Sequence, residues 1–284
     1  MTLVSSLKWL IPIFFLCAVS STRVEAQPAP ATLPGGYRLV WSDEFSQELD
    51  GLPNPKKWVY EKGLVRNHEA QYYTEARSEN ARIEQGHLVI EARKEPFPTD
   101  AAKAAYTSAS ITTEGKESWT YGRIEVRAKL PVGKGVWPAI WTLGSDIHQV
   151  GWPKCGEIDI MELVGKEPRI IHGTIHYYKS DASGSGHAAA GGTLEVPTSQ
   201  SDFHVYAAEW TKDGIDLFVD DHKYFSFAVN KAEFDGENPF RKPHFLILNL
   251  AMSGEWGGPI DDSQLPQRMV VDYVRIYQKA EAAP

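Results

Sequence analysis

Gly156-Glu157-Ile158-Asp159-Ile160-Met161-Glu162-Leu163 alternates acidic and aliphatic residues, and a period of two belongs to a strand, not a helix. In a strand, Glu157 and Asp159 project from one face while the aliphatics project from the other. Glu162 falls on the wrong face of a regular strand. One extra residue near Ile160-Met161, a β-bulge, returns it to the face of Glu157 and Asp159. Ile158, Ile160 and Leu163 then share a core face, with Met161 absorbed in the bulge. Three carboxylates on one face repel each other unless protons are shared and their pKa values separate. That separation is what glycoside hydrolysis needs, because one carboxylate attacks the anomeric carbon while another carries a proton for the leaving oxygen. A separation of about 5–5.5 Å between the two implies retention of configuration. A flat strand holds residues 157 and 162 further apart than this, so the sheet is expected to curve. A solvated acidic face fits poorly with the interleaved aliphatics. A calcium site fits poorly with a strand, since calcium ligands normally come from a loop.

Outward from this segment the same period recurs. Arg82–Glu84 and His87–Ala92 flank Gln85-Gly86, a hairpin-like turn. Tyr121–Leu130, Ile170–Tyr177, Phe203–Trp210, Gly214–Val219, Lys223–Val229, Phe245–Ala251 and Met269–Tyr277 read as further strands, with Asp220-Asp221 as a turn. Long helical periodicity is almost absent. The expectation is an all-β, antiparallel sandwich or barrel, in one domain from about 37 to 278.

The ends read differently. Lys8 precedes an apolar run of 11 residues, Trp9 to Val19, and Val24-Glu25-Ala26 ends on a small residue. Residues 1–26 are therefore expected to be a secretory signal peptide; the apolar run is shorter than the roughly 20 residues of a membrane-spanning helix. Residues 27–36 (QPAPATLPGG) are expected to be an extended, disordered leader, and 279–284 a frayed tail. Of the two cysteines, Cys17 leaves with the signal, so Cys155 stays as a single packed thiol and no intrachain disulfide forms. The chain is expected to be secreted or periplasmic, stabilised by its core alone.

Composition narrows the partners. The formal charge of the 284 residues is −8, with no basic run, which argues against nucleic acid, whose binding rests on phosphate neutralisation. The 9 Trp, 12 Tyr and 11 Phe suit a protein that handles flat apolar ligands. Trp137 and Trp141 stand four apart, on one side of an extended chain, and tryptophan faces stack on the apolar faces of sugar rings. Gly133-Lys134-Gly135 lacks the ending and spacing of a phosphate loop, and His68-Glu69 lacks the second histidine of a zinc protease motif. His172 and His176 share a strand face without a metal partner in view.

Taken together, these segments resemble glycoside hydrolase family 16, in particular its bacterial laminarinase-like branch. The likeness runs through Tyr37–Phe45, Asn67–Thr74, Tyr121–Trp141, Trp152–Gly165, His172–His176 and Val271–Tyr277, and includes the ExDxxE form of the acidic strand. The resemblance implies a β-jelly roll of two curved sheets with a concave cleft, acting as a retaining endo-β-1,3-glucanase. It implies Glu157 as nucleophile, Glu162 as general acid/base and Asp159 between them tuning protonation. Asn67, Trp137, Trp141, His176 and Trp256 match sugar-subsite positions. Glu44, the Gly86 backbone and Asp272 match a structural Ca²⁺ site; catalysis itself needs no cofactor. The expected partner is a polysaccharide, handled by a monomer with no membrane contact after signal cleavage. Two departures bear on subsite preference: Ser110 stands where many laminarinases have arginine, and Ala251–Gly258 lacks the usual Gly-Gly pair before Trp256. Mixed-linkage β-glucan and agar-type galactan remain alternative substrates. A non-catalytic sugar-binding jelly roll would have no use for three carboxylates on one strand face, and a transglycosylase would use the same residues.

Overall fold

The computed structural model describes residues 29–46, 51–99, 103–180 and 186–279. The signal-peptide reading of 1–26 and most of the frayed tail lie outside them. Two sheets pack face to face. The smaller runs His187–Glu195, Ile170–Tyr178, Glu157–Glu162, Val136–Gly144, His244–Met252, Ser110–Thr112, Val59–Tyr60. The larger runs His222–Ala228, Gly214–Val219, His204–Trp210, Gly122–Lys129, Gln267–Lys279, His87–Pro98, Lys103–Ser108, Gln71–Tyr73, with Tyr37–Asp43 and Ala81–Glu84 paired alongside. This is the expected all-β sandwich. Among the described strand pairs, only Gln71–Tyr73 with Lys103–Ser108 is parallel.

Alternation explains the larger sheet. In Gly122–Lys129, Ile124, Val126 and Ala128 are buried in the core, while Arg123 and Arg127 reach outward to Glu125 and Asp272. The smaller sheet is apolar on both faces. Ile140, Ile158, Ile175 and Leu248 point into the core, and Ala139, Trp141, Leu143, Phe245 and Ile247 form a second cluster on the opposite face. All nine residues of His244–Met252 are buried, the pattern of a strand covered on both sides.

The expected strands are present within a residue or two, except that His87–Ala92 continues to Pro98, and the Gln85-Gly86 turn has φ of 55° and 80°, the positive values a two-residue hairpin needs. Two departures have clear causes. His187–Glu195 is mostly Ala and Gly, with Thr193 its single β-branched residue; pairing with Ile170–Tyr178 makes it the edge strand. The leader was expected to be unstructured, yet Thr32–Leu33 turns back through Pro34–Gly36 to pair with Tyr37 and Arg38.

The bulge sits where the alternation demanded it. Trp141 pairs with Asp159 and its neighbour Ile140 with Met161, so one residue, Ile160, is extra. Across the other edge, Asp159 opposes Thr174 and Glu162 opposes His172. Ile160 and Met161 are both fully buried. The distorted strand is braced from the facing sheet, where the Tyr224 hydroxyl donates to the Ile160 carbonyl at 2.8 Å. Gly173 makes room for that phenol: a Cβ there would lie 2.2 Å from the Tyr224 oxygen.

Tyr224→Phe should lower stability by about 1 kcal/mol, the net worth of one buried hydrogen bond, and lower catalytic turnover with it. Thermal melts and steady-state kinetics check this; a variant indistinguishable from the parent in both would remove the brace from the account.

Candidate active site

The smaller sheet floors an open cavity of about 750 Å³. Glu157, Asp159 and Glu162 all face it, because the bulge turns Glu162 back beside the other two. Each glutamate is held by an indole. Trp152 Nε1–H donates to Glu157 Oε2 at 2.8 Å, and Trp137 Nε1–H donates to Glu162 Oε1 at 2.9 Å. Asp159 is buried between them, with Oδ2 3.1 Å from His176 Nε2. The same His176 nitrogen is 3.9 Å from Glu157 Oε1, a proximity set by the Glu157–His176 cross-strand register.

Burial and mutual repulsion raise all three acids. Burial first, then the charge of Asp159, pushes the Glu157 carboxyl up to about 8, with His176 and the Trp152 hydrogen bond opposing. Burial pushes Glu162 up to about 7 against the Trp137 hydrogen bond. Asp159 is raised well above the usual carboxylate range by burial and by Glu162. The three titrate as a coupled set, and near neutrality the set holds protons that separate carboxylates would have lost. One group can thus serve as acid beside another that is ionised.

Every residue expected at a sugar subsite lines the cavity, though not all in the same way. Trp137 and Trp256 meet edge to face, centroids 5.5 Å apart at 88°, and His172 packs on Trp256 at 4.8 Å. Trp141 is only 6% exposed; its Nε1–H donates to Asn249 Oδ1 at 2.7 Å and the Arg66 guanidinium covers its ring at 4.9 Å. It forms floor, not an open stacking platform. Asn67 takes a left-handed φ of 53°. Its carbonyl accepts the Glu255 N–H and its Nδ2 donates to Glu69 Oε1, which ties its loop to the turn carrying Trp256. His172 and His176 part company, since His172 lies 3.2 Å from Glu167. Among the described residues, the one carboxylate–imidazole group within ligand reach is Glu157, Asp159 and His176. That group belongs to the three-carboxylate cluster described above, and no metal is assigned to it.

Sequence reasoning missed Trp152, Arg66, Glu61 and His187 as cavity residues. Trp152 offered a signal, an indole just before the acidic strand, and the structure leaves it 48% exposed. Arg66, paired with Glu61, sits in irregular chain and offered none. Cys155 is fully buried, and burial with the nearby Glu157 and Asp146 charges pushes its thiol up to about 12, so it is inert.

The residues matched to calcium do not fit that ion as arranged. Both Glu44 oxygens accept from the Arg275 guanidinium, at 3.1 and 2.8 Å. The Asp272 carboxylate accepts from Arg127 and lies 3.4 Å from His87 Nε2. A divalent cation would have to displace the Arg275 and Arg127 guanidinium groups.

The sequence model of glycosyl hydrolases family 16 matches residues 68–275. A β-glucanase of Rhodothermus marinus is 48% identical over 259 residues, covering 86% of each chain. The X-ray structure of the laminarinase from Rhodothermus marinus superimposes with a TM-score of 0.77 at 47% identity, covering 86% of this chain and 98% of that one. A keratan-sulfate endo-1,4-beta-galactosidase of Sphingobacterium multivorum is 34% identical across 92% of this chain, which spans 59% of that longer protein.

Two outcomes follow from the geometry. Unfolded, Glu157 ionises near 4.5; folded, near 8. Between those values the folded state holds the extra proton, so the parent loses stability as pH rises. The Tm advantage of Glu157→Gln over the parent should therefore grow from pH 4 to pH 8.5; a constant or shrinking advantage would contradict the raised value. Chelation with EDTA should leave Tm unchanged, and a Tm drop reversed by Ca²⁺ would show that calcium outcompetes Arg275 and Arg127.

Proposed function

The chain belongs to glycosyl hydrolases family 16, and from that membership we propose that it cleaves β-1,3-glucan internally, with retention of configuration. The observation that carries this is the bulged strand, which presents Glu157 and Glu162 on one cleft face with Asp159 between them. Glu157 attacks the anomeric carbon as the Glu162 proton passes to the glycosidic oxygen. The bond to the leaving sugar breaks and a glycosyl-enzyme ester forms. Glu162, now ionised, takes a proton from water; the oxygen of that water attacks the same carbon and releases Glu157. Trp152 and Trp137 hold the two carboxylates in orientation, and Asp159 tunes their protonation. The open cleft supports internal cleavage, and the Trp137–Trp256 pair offers aromatic surface for sugar rings.

The charge of the cleft supports a neutral glycan. Carboxylates outnumber guanidinium groups seven to one in its lining, and that one guanidinium, Arg66, is paired with Glu61. A sulfated chain would meet repulsion along the cleft. Mixed-linkage glucan is compatible with the same cleft. A neutral galactan is the second reading, favoured by Ser110, which donates to Glu61 where many laminarinases place an arginine. We propose further that the enzyme is exported and acts as a monomer. Its secreted form should begin at Gln27, which N-terminal sequencing reads.

Laminarin, barley mixed-linkage glucan, agarose and carrageenan distinguish the substrates. Early release of mixed oligosaccharides from laminarin is expected, and cleavage of agarose alone would move the specificity to galactan. Glu157→Ala and Glu162→Ala should each lose about 10³-fold or more in turnover. Azide should rescue both on an activated β-glycoside, to opposite products: the inverted glycosyl azide with Glu157→Ala, the retained one with Glu162→Ala. Full activity in either alanine variant would overturn the assignment.

A further inference from the structure

Beyond the carboxylates, one chain of polar contacts leads out of the site. Asp159 Oδ2 lies 3.1 Å from His176 Nε2, and His176 Nδ1 lies 2.8 Å from His187 Nε2. The two imidazoles are close to parallel, at 19° with centroids 5.1 Å apart. The sheet builds this arrangement. His176 opposes Ala189 on the edge strand, and His187, two residues from Ala189, shares its face and sits diagonally across from His176. The other side of His187 is closed by the Trp152 ring at 4.5 Å, the same indole that donates to Glu157.

We propose that His187 is a positioning residue for the hydrolysis: its Nε2 accepts the Nδ1–H of His176, which fixes that ring with Nε2 turned toward the carboxylates and supports a positive charge there that opposes protonation of Glu157. The proposal rests on the glycosidase reading of the site. The groups facing His176 are Glu157 and Asp159 from the acidic strand and His187 from the edge strand; His187 itself faces His176 and Trp152. A hydrogen bond between two imidazole nitrogens needs one donor and one acceptor, and two cationic rings at this distance would repel. Partial burial and the nearness of His176 depress the pKa of His187, which favours it as the neutral acceptor. A positive His176 in turn lowers the pKa of Glu157 and of Glu162. Without the Nδ1 acceptor the imidazolium is less stable, and the nucleophile takes up its proton at a higher pH.

His187→Ala and His187→Gln test this on whichever glycan the parent cleaves. In His187→Ala, the acid limb of the kcat/KM profile should move up by about half a pH unit, roughly a threefold loss below the limb, with KM unchanged. The Gln variant, whose amide oxygen can accept the Nδ1–H, should restore the parent profile. The position is exposed on an edge strand, so Tm should hold in both. In a second readout independent of activity, ¹⁵N-histidine NMR should show the His176 ring losing its second proton at lower pH in His187→Ala than in the parent. An unmoved profile and an unmoved ring titration would overturn the proposal. So would a change confined to KM, or a Gln variant that behaves like Ala. A parent that cleaves no glycan would sink the glycosidase reading, while the NMR titration would still decide the His187–His176 contact.

Discussion

A single extra residue in one strand sets the geometry on which the three-carboxylate cluster depends. With strict alternation, Glu162 would lie in the hydrophobic core and Met161 would face the cleft. Opposing Ile140-Trp141 with Met161 and Asp159 places the extra residue at Ile160, and both Ile160 and Met161 end in the core. The local loss of ladder pairing is offset from outside the sheet by Tyr224, which reaches through the space that Gly173 leaves open. The two sheets therefore do more than bury apolar area against each other. One of them shapes the backbone on which the other carries its acids.

The same packing makes the site electrostatically costly. Three carboxylates sit on a floor formed by Trp141, Leu143 and Phe245, where water is partly excluded and charges are poorly screened. Two indole N–H donors and one imidazole are arranged around them. These partners offset part of the desolvation cost without removing it, and the remaining shift is what makes proton transfer near neutral pH feasible. A site that stabilised every carboxylate fully would have no acid left to protonate a leaving group.

Much of this was legible in the sequence because it is written in alternation. The strands, the Gln85-Gly86 hairpin and the bulge each follow from a period of two or from its interruption. The three cleft carboxylates were legible for the same reason, since acids interleaved with buried-type aliphatics need an explanation. What stayed hidden has no period. Arg66 comes from irregular chain, and His187 from an Ala/Gly edge strand held by pairing alone. Trp141 was expected as a stacking surface and is mostly covered, because a guanidinium 75 positions earlier in the chain folds over it. Glu44 and Asp272 could be matched to a cation site by resemblance, but their arginine partners become visible only in three dimensions.

In the proposed mechanism Glu157, brought beside Glu162 by the bulge, forms the bond to sugar. Mass spectrometry after incubation with an activated 2-deoxy-2-fluoro-β-glycoside, which slows breakdown of the glycosyl-enzyme, tests it most directly. One added sugar is expected, located by peptide mapping on Glu157. A label on Glu162 or Asp159, or inverted products with no covalent adduct, would contradict it.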